Sequence, residues 1–156
     1  MLVTGDVTGA VNLWQVPDEG RAGGNELVRT PWKQLKCKAV VFAVKVTADH
    51  KYVISGDVTG ACTIWDVESG TKVRELMCGT AVRCVDMAYD RRQQRIERLV
   101  TGTAGGIATL WDADTAERLQ IFECPGMIYS VDLTGDRTQV CTGDQSHTAI
   151  LWDVAT

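Results

Sequence analysis

The chain is poor in the residues that most often carry chemistry. Histidine occurs twice, as His50 and His147, and aromatic residues make up 6% of the 156 positions. The two histidines fall in connections expected at opposite ends of the strands, a weak basis for catalysis, so the expectation is a protein that is not an enzyme. The six cysteines, Cys37, Cys62, Cys78, Cys84, Cys124 and Cys141, form no Cys-x-x-Cys pair. That excludes a readable zinc ribbon or redox pair and favours reduced, mostly buried thiols in a cytoplasmic setting, with no metal and no cofactor. No uncharged apolar run approaches the length that crosses a bilayer, and the first residues lack a basic segment followed by an apolar stretch, so a soluble intracellular protein is expected. The glycine-rich TAGG and DVTG segments have no helix after them and are not phosphate loops. A formal net charge of -4 argues neither for nor against a charged partner.

What the chain has is repetition. Nearly one phrase recurs four times, as LVTGDVTGAVNLWQV from Leu2, VISGDVTGACTIWDV from Val53, LVTGTAGGIATLWDA from Leu99 and VCTGDQSHTAILWDV from Val140. Each alternates apolar with small or polar residues, turns at a short, mostly Gly-rich segment and alternates again up to a tryptophan, the pattern of strand, hairpin and strand. These are labelled strands b and c. Between one tryptophan and the next phrase lie two further β-like runs: ELVRTPWKQL, TKVRELM and ERLQIF for strand d, then VVFAVKV, VRCVDMA and IYSVDL for strand a.

The spacing fixes the unit. Trp14, Trp65, Trp111 and Trp152 are 51, 46 and 41 residues apart. Trp65 to Cys78 and Trp111 to Cys124 are 13 residues each, against 23 from Trp14 to Cys37. Cys37 to Trp65 and Cys124 to Trp152 are 28 each, against 33 from Cys78 to Trp111. One 41-residue unit with two insertions accounts for all of these values, and loops at 17–26 and 89–98 are expected to hold the extra residues. The resulting organisation is strands b and c of a first unit at 1–16, then repeats at 26–66, 71–112 and 117–154.

The Trp-Asp endings and the Ser/Thr-Gly before each hairpin (Thr4-Gly5, Ser55-Gly56, Thr101-Gly102, Thr142-Gly143) resemble WD-repeat β-propellers over nearly the whole chain. The resemblance implies an all-β propeller segment of 14 strands, about three and a half four-stranded blades. It also implies a buried network of His, Asp, Ser/Thr and Trp. Here the His position holds Cys37, Cys78 and Cys124, and the Asp position holds Thr8, Thr59, Gly105 and Ser146. Losing both partners together is far cheaper than losing one, and a weak thiol donor remains. In a family that closes its ring, fourteen strands read as a segment of a longer propeller, a half completed by a second subunit, or a four-bladed ring with an atypical junction.

The resemblance further implies a rigid scaffold that binds other proteins, as a subunit of a larger assembly. The family's contact positions fall on Val7, Val58, Ala104 and Gln145 in the hairpins and on Val40, Ala81 and Met127 before strand a, with Phe42, Arg83 and Tyr129 at the strand entries. Asp6, Asp57 and Asp144 would ring this apolar surface and favour a partner with a basic rim. The alternative class is an RNA or acidic partner held by Arg91, Arg92, Arg95 and Arg98, expected to share one loop. Lys45, Asp86 and Asp132 occupy one equivalent site in strand a, where Lys45 and Asp86 on adjacent units are expected to pair.

Overall fold

The computed structural model describes residues 1–15 and 30–154. Among these, fourteen strands form four antiparallel sheets. The first sheet holds β1 (Leu2–Gly5), β2 (Ala10–Trp14) and β3 (Lys33–Lys36). The second holds β4 (Val41–Val46), β5 (Tyr52–Asp57), β6 (Ala61–Asp66) and β7 (Lys72–Met77). The third holds β8 (Val82–Asp90), β9 (Arg95–Thr103), β10 (Ile107–Asp112) and β11 (Arg118–Glu123). The fourth holds β12 (Ile128–Leu133), β13 (Gln139–Asp144) and β14 (Ala149–Asp153). In every sheet the spatial order is the chain order, so each is a meander.

The alternation in the sequence becomes two packed faces per sheet. Val11, Leu13 and Leu35 of the first sheet meet Val53, Trp65 and Val67 of the second. Ile54, Ile64 and Leu76 on the opposite face of the second meet Val85, Leu99 and Trp111 of the third. Val100, Leu110 and Phe122 of the third meet Ile128, Val140 and Trp152 of the fourth. Each such side chain contributes about 1.5–3 kcal/mol on full burial. The core is thus three slabs between four sheets, and the strands β4, β8 and β12 pack side by side along one margin of the stack.

Close approach of neighbouring sheets explains the glycine after the strand-b Ser/Thr in the first three sheets, at Gly5, Gly56 and Gly102. A Cβ on Gly56 would lie 2.5 Å from Cγ1 of Val82, the first residue of the next sheet's innermost strand. Only a residue without a side chain lets that strand start so near.

The insertion at 89–98 is not an open loop. The added residues lengthen β8 and β9, with Tyr89 paired to Ile96 and Asp90 to Arg95 beyond an irregularity after Ala88. Ladder hydrogen bonds for the added backbone are the physical reason: a longer hairpin satisfies them where a loop would not. The other insertion, 17–26, and the first part of the ELVRTPWKQL run lie outside the described residues. Among the described residues no helix is long and apolar enough to cross a membrane.

Candidate partner-binding face

The edge of the sheets that carries the β1–β2, β5–β6, β9–β10 and β13–β14 hairpins is built on a repeated polar contact. The indole N–H groups of Trp14, Trp65, Trp111 and Trp152 donate to the hydroxyls of Thr4, Ser55, Thr101 and Thr142 at 2.9, 2.8, 2.9 and 2.9 Å. On three of these hydroxyls a thiol from the preceding sheet closes in. Cys37 lies 3.3 Å from Ser55 Oγ, and Cys78 and Cys124 donate to Thr101 and Thr142 at 3.6 and 3.4 Å. The cysteine therefore stitches each sheet to the next, in the place expected for the missing network. Burial pushes the Cys37 and Cys78 thiols up from their ordinary value, which keeps them protonated and able to donate.

The hairpins themselves are closed by aspartate. Asp6 Oδ1 accepts from the Thr8 N–H at 2.8 Å, the Thr8 hydroxyl at 2.7 Å and the Ala10 N–H at 3.0 Å. Asp57 repeats this with Thr59 and Ala61, and Asp144 with the N–H groups of Ser146 and Thr148. In the third hairpin Thr103 stands in, its hydroxyl donating to the Ile107 carbonyl at 2.9 Å. The Thr8 hydroxyl, the Ala10 N–H and the other donors lower the Asp6 pKa to about 2. These carboxylates turn inward, and Asp57 is only 3% exposed. The aspartates thus close their own turns, and the lowered pKa keeps the Asp6 carboxylate ionised at neutral pH, its charge undiminished by the hydrogen bonds it accepts. The Asp-x-Thr/Ser spacing of an Asx turn was the signal in the sequence.

What the edge does present is apolar. Val7 at the tip of the first hairpin is 78% exposed and Val58 of the second 42%. The hairpin positions are clamped to the segments before the innermost strands, as the N–H groups of Val58, Ala104 and Gln145 donate to the carbonyls of Val40, Ala81 and Met127 at 2.9, 2.9 and 2.8 Å.

Next to each clamp the ladder slips. The pairing of β4 with β5 shifts between Val41 and Ala43, that of β8 with β9 between Val82 and Cys84, and that of β12 with β13 between Ile128 and Ser130. The residues skipped are Phe42, Arg83 and Tyr129. Each is an extra residue with no partner across the ladder, which re-aims its side chain. Phe42 is 41% and Tyr129 53% exposed, whereas Val41, Val82 and Ile128 just before them are buried. The Arg83 guanidinium carbon lies over the Phe42 ring, 4.4 Å from its centroid. Sequence spacing could not show these bulges, because all three repeats contain one and the period is unchanged.

The opposite edge has a different character. Arg91 and Arg92 are exposed in the turn between β8 and β9, but Arg95 and Arg98 lie on β9. Arg95 pairs with Asp114 and with Glu97, Arg98 with Asp112 at 2.6 Å, and Arg137 with Glu97. A cleft of about 600 Å³ opens beside Arg95, Arg98 and Arg137, and each of its guanidinium groups already faces a carboxylate. The four arginines are thus split between a turn and a paired strand. His50 and His147 sit at opposite edges, both with positive φ. Farther along the innermost strands, Lys45 Nζ meets Asp86 Oδ1 at 2.6 Å, the expected pair, and Asp86 Oδ2 accepts from the Leu133 N–H at 2.9 Å.

Residues 116–153, which contain β11 to β14, match the family model described as WD domain, G-beta repeat. No curated protein matches the chain at a significant level. The match is consistent with the WD-repeat family, whose repeats generally mediate protein–protein contacts and are typically non-catalytic. Fourteen strands in four antiparallel sheets fit a segment of its β-propeller.

Proposed function

We propose that the chain is a non-catalytic protein-interaction scaffold, working in the cytoplasm as part of a larger assembly, and that partners dock on the hairpin edge around the innermost strands. The observation that supports this most strongly is the set of three equivalent bulges, which leave Phe42, Arg83 and Tyr129 without a partner across their ladders. A bulge sacrifices ladder hydrogen bonds, and its repetition at one edge of three sheets suits a surface that must offer side chains to another molecule. Val7 and Val58 extend the same surface outward, and Val40, Ala81, Met127 and Gln145 frame it. Exposed aromatic and aliphatic side chains with an arginine among them match the composition of a protein interface core.

The test places a photocrosslinking amino acid at position 58 or 129 and, as the control on the opposite edge, at 136. Protein adducts are expected from 58 and 129 and not from 136. Adducts confined to 136, or nucleic acid captured by a probe at 91, would overturn the assignment of the face.

A further inference from the structure

We infer that the lengthened β8–β9 hairpin is a strap that holds the second, third and fourth sheets at one mutual angle by gripping the turns on either side of it. The grip belongs to the chain alone, so it stands or falls apart from any partner at the hairpin edge.

The two flanking turns close on themselves. Between β4 and β5, Asp49 Oδ1 accepts from the Thr47 hydroxyl at 2.7 Å and the Lys51 N–H at 3.1 Å. Between β12 and β13, Asp136 Oδ1 accepts from the Thr134 hydroxyl at 2.6 Å and the Thr138 N–H at 3.1 Å. In the third sheet the equivalent turn is displaced outward by the added rungs of β8 and β9. Those rungs reach both neighbours. Tyr89 donates its hydroxyl proton to Asp49 Oδ2, the oxygen left over by that turn, and Glu97 takes the Arg137 guanidinium of the other turn.

The hairpin is rooted in its own sheet. Ile96, on an added rung, is 5% exposed and belongs to the slab between the second and third sheets, which Tyr52 and Tyr89 also line. The Glu97 carbonyl accepts from the Ala113 N–H at 3.2 Å, and its side chain is mostly buried beside Arg95, which pairs in turn with Asp114. A segment fixed by core packing and gripping a neighbour on each side restricts how those neighbours can rotate. Ion pairs that are partly in solvent contribute little to stability, so the strap acts on sheet geometry more than on unfolding free energy. Partners spread over Phe42, Arg83 and Tyr129 then meet three sheets already set in place, which lowers the ordering cost of docking.

The experiment measures nitroxide distance distributions by pulsed EPR on the full chain, with encoded spin-labelled amino acids at positions 51 and 135 in the two gripped turns. Lys51 is exposed, and a Cβ at Gly135 meets open space. A second pair at 7 and 58 spans the first two sheets, which the strap does not join. Y89F removes one grip and R137M the other. The 51–135 distribution is expected to be narrow in the parent and to reach at least about twice that width in the double variant, with smaller broadening in each single variant. R137K keeps the charge facing Glu97 and should stay narrow, and the 7–58 pair should not change. If the double variant does not fold, the single variants carry the same test. A 51–135 distribution that is broad in the parent, or that stays narrow without either grip, would overturn the strap. So would equal broadening of the 7–58 pair, the mark of general loosening, or an R137K chain as broad as R137M.

Discussion

Cys37 and Trp65 meet at one hydroxyl: Ser55 Oγ lies 3.3 Å from the thiol and accepts the indole N–H at 2.8 Å. The thiolate is the reactive form of cysteine, and burial works against it across the core. It raises the Cys62 thiol well above its ordinary value and the Cys84 thiol to about 12. Cys141 is exposed. Iodoacetamide at pH 8 should therefore label Cys141 first and leave Cys62 and Cys84 unmodified until the chain unfolds, as read by peptide mass mapping over time.

The Asp6 carboxyl has a folded pKa of about 2 against an ordinary 3.8, held down by the Thr8 hydroxyl, then the Ala10 N–H. A lowered pKa means that the carboxylate's contribution to stability is complete above about 3.8 and is lost as pH falls toward 2. Its side-chain resonance, followed by NMR, should titrate near the lower value. Thr8→Ala should move it up toward 3.8, and an unchanged midpoint would show that the turn does not set it.

Removing Asp86 should cost more than removing Lys45. Asp86 is buried and serves both Lys45 and the Leu133 N–H, whereas Lys45 is nearly half exposed. Asp86→Ala leaves that N–H unsatisfied and should destabilise by about 1–3 kcal/mol. Lys45→Met leaves the buried Asp86 carboxylate with the Leu133 N–H as its remaining partner, and because the lysine itself is half in solvent its loss should sit at the lower end of that range, about 1 kcal/mol. Urea unfolding of the two variants checks the order.

The last hairpin carries a strained residue that the others avoid. His147 has φ 63°, at the position filled by Gly9, Gly60 and Gly106 in the earlier hairpins. A left-handed residue with a side chain costs roughly 1–2 kcal/mol, partly returned by the stiffer unfolded chain. His147→Gly should raise the melting temperature slightly. Gly60→Ala should lower it, because its Cβ would lie 2.9 Å from the Thr80 carbonyl oxygen at φ +89°.

Much of this architecture was legible in the chain itself. The runs IYSVDL and TKVRELM become β12 (Ile128–Leu133) and β7 (Lys72–Met77) because alternation records which face is buried. The Lys45–Asp86 pair was legible because equivalent positions on adjacent repeats must be neighbours. Direction within a turn was harder. Asp6 and Asp57 look like surface charges in a polar hairpin, and only their spacing from Thr8 and Thr59 shows that each closes on itself. Extra residues were read as loops, although a hairpin can absorb them as added rungs, as Tyr89 and Asp90 do.

The unpaired position at the head of β4, β8 and β12 gives the molecule one site per repeat whose identity the scaffold does not dictate. Its neighbours answer to the core on one side and to the hairpin clamp on the other. Phe, Arg and Tyr have been accepted there without any change in repeat length. Such positions behave like letters in a short word: they can be rewritten separately, so a new preference for a partner can arise by exchanging a single side chain while every sheet keeps its register.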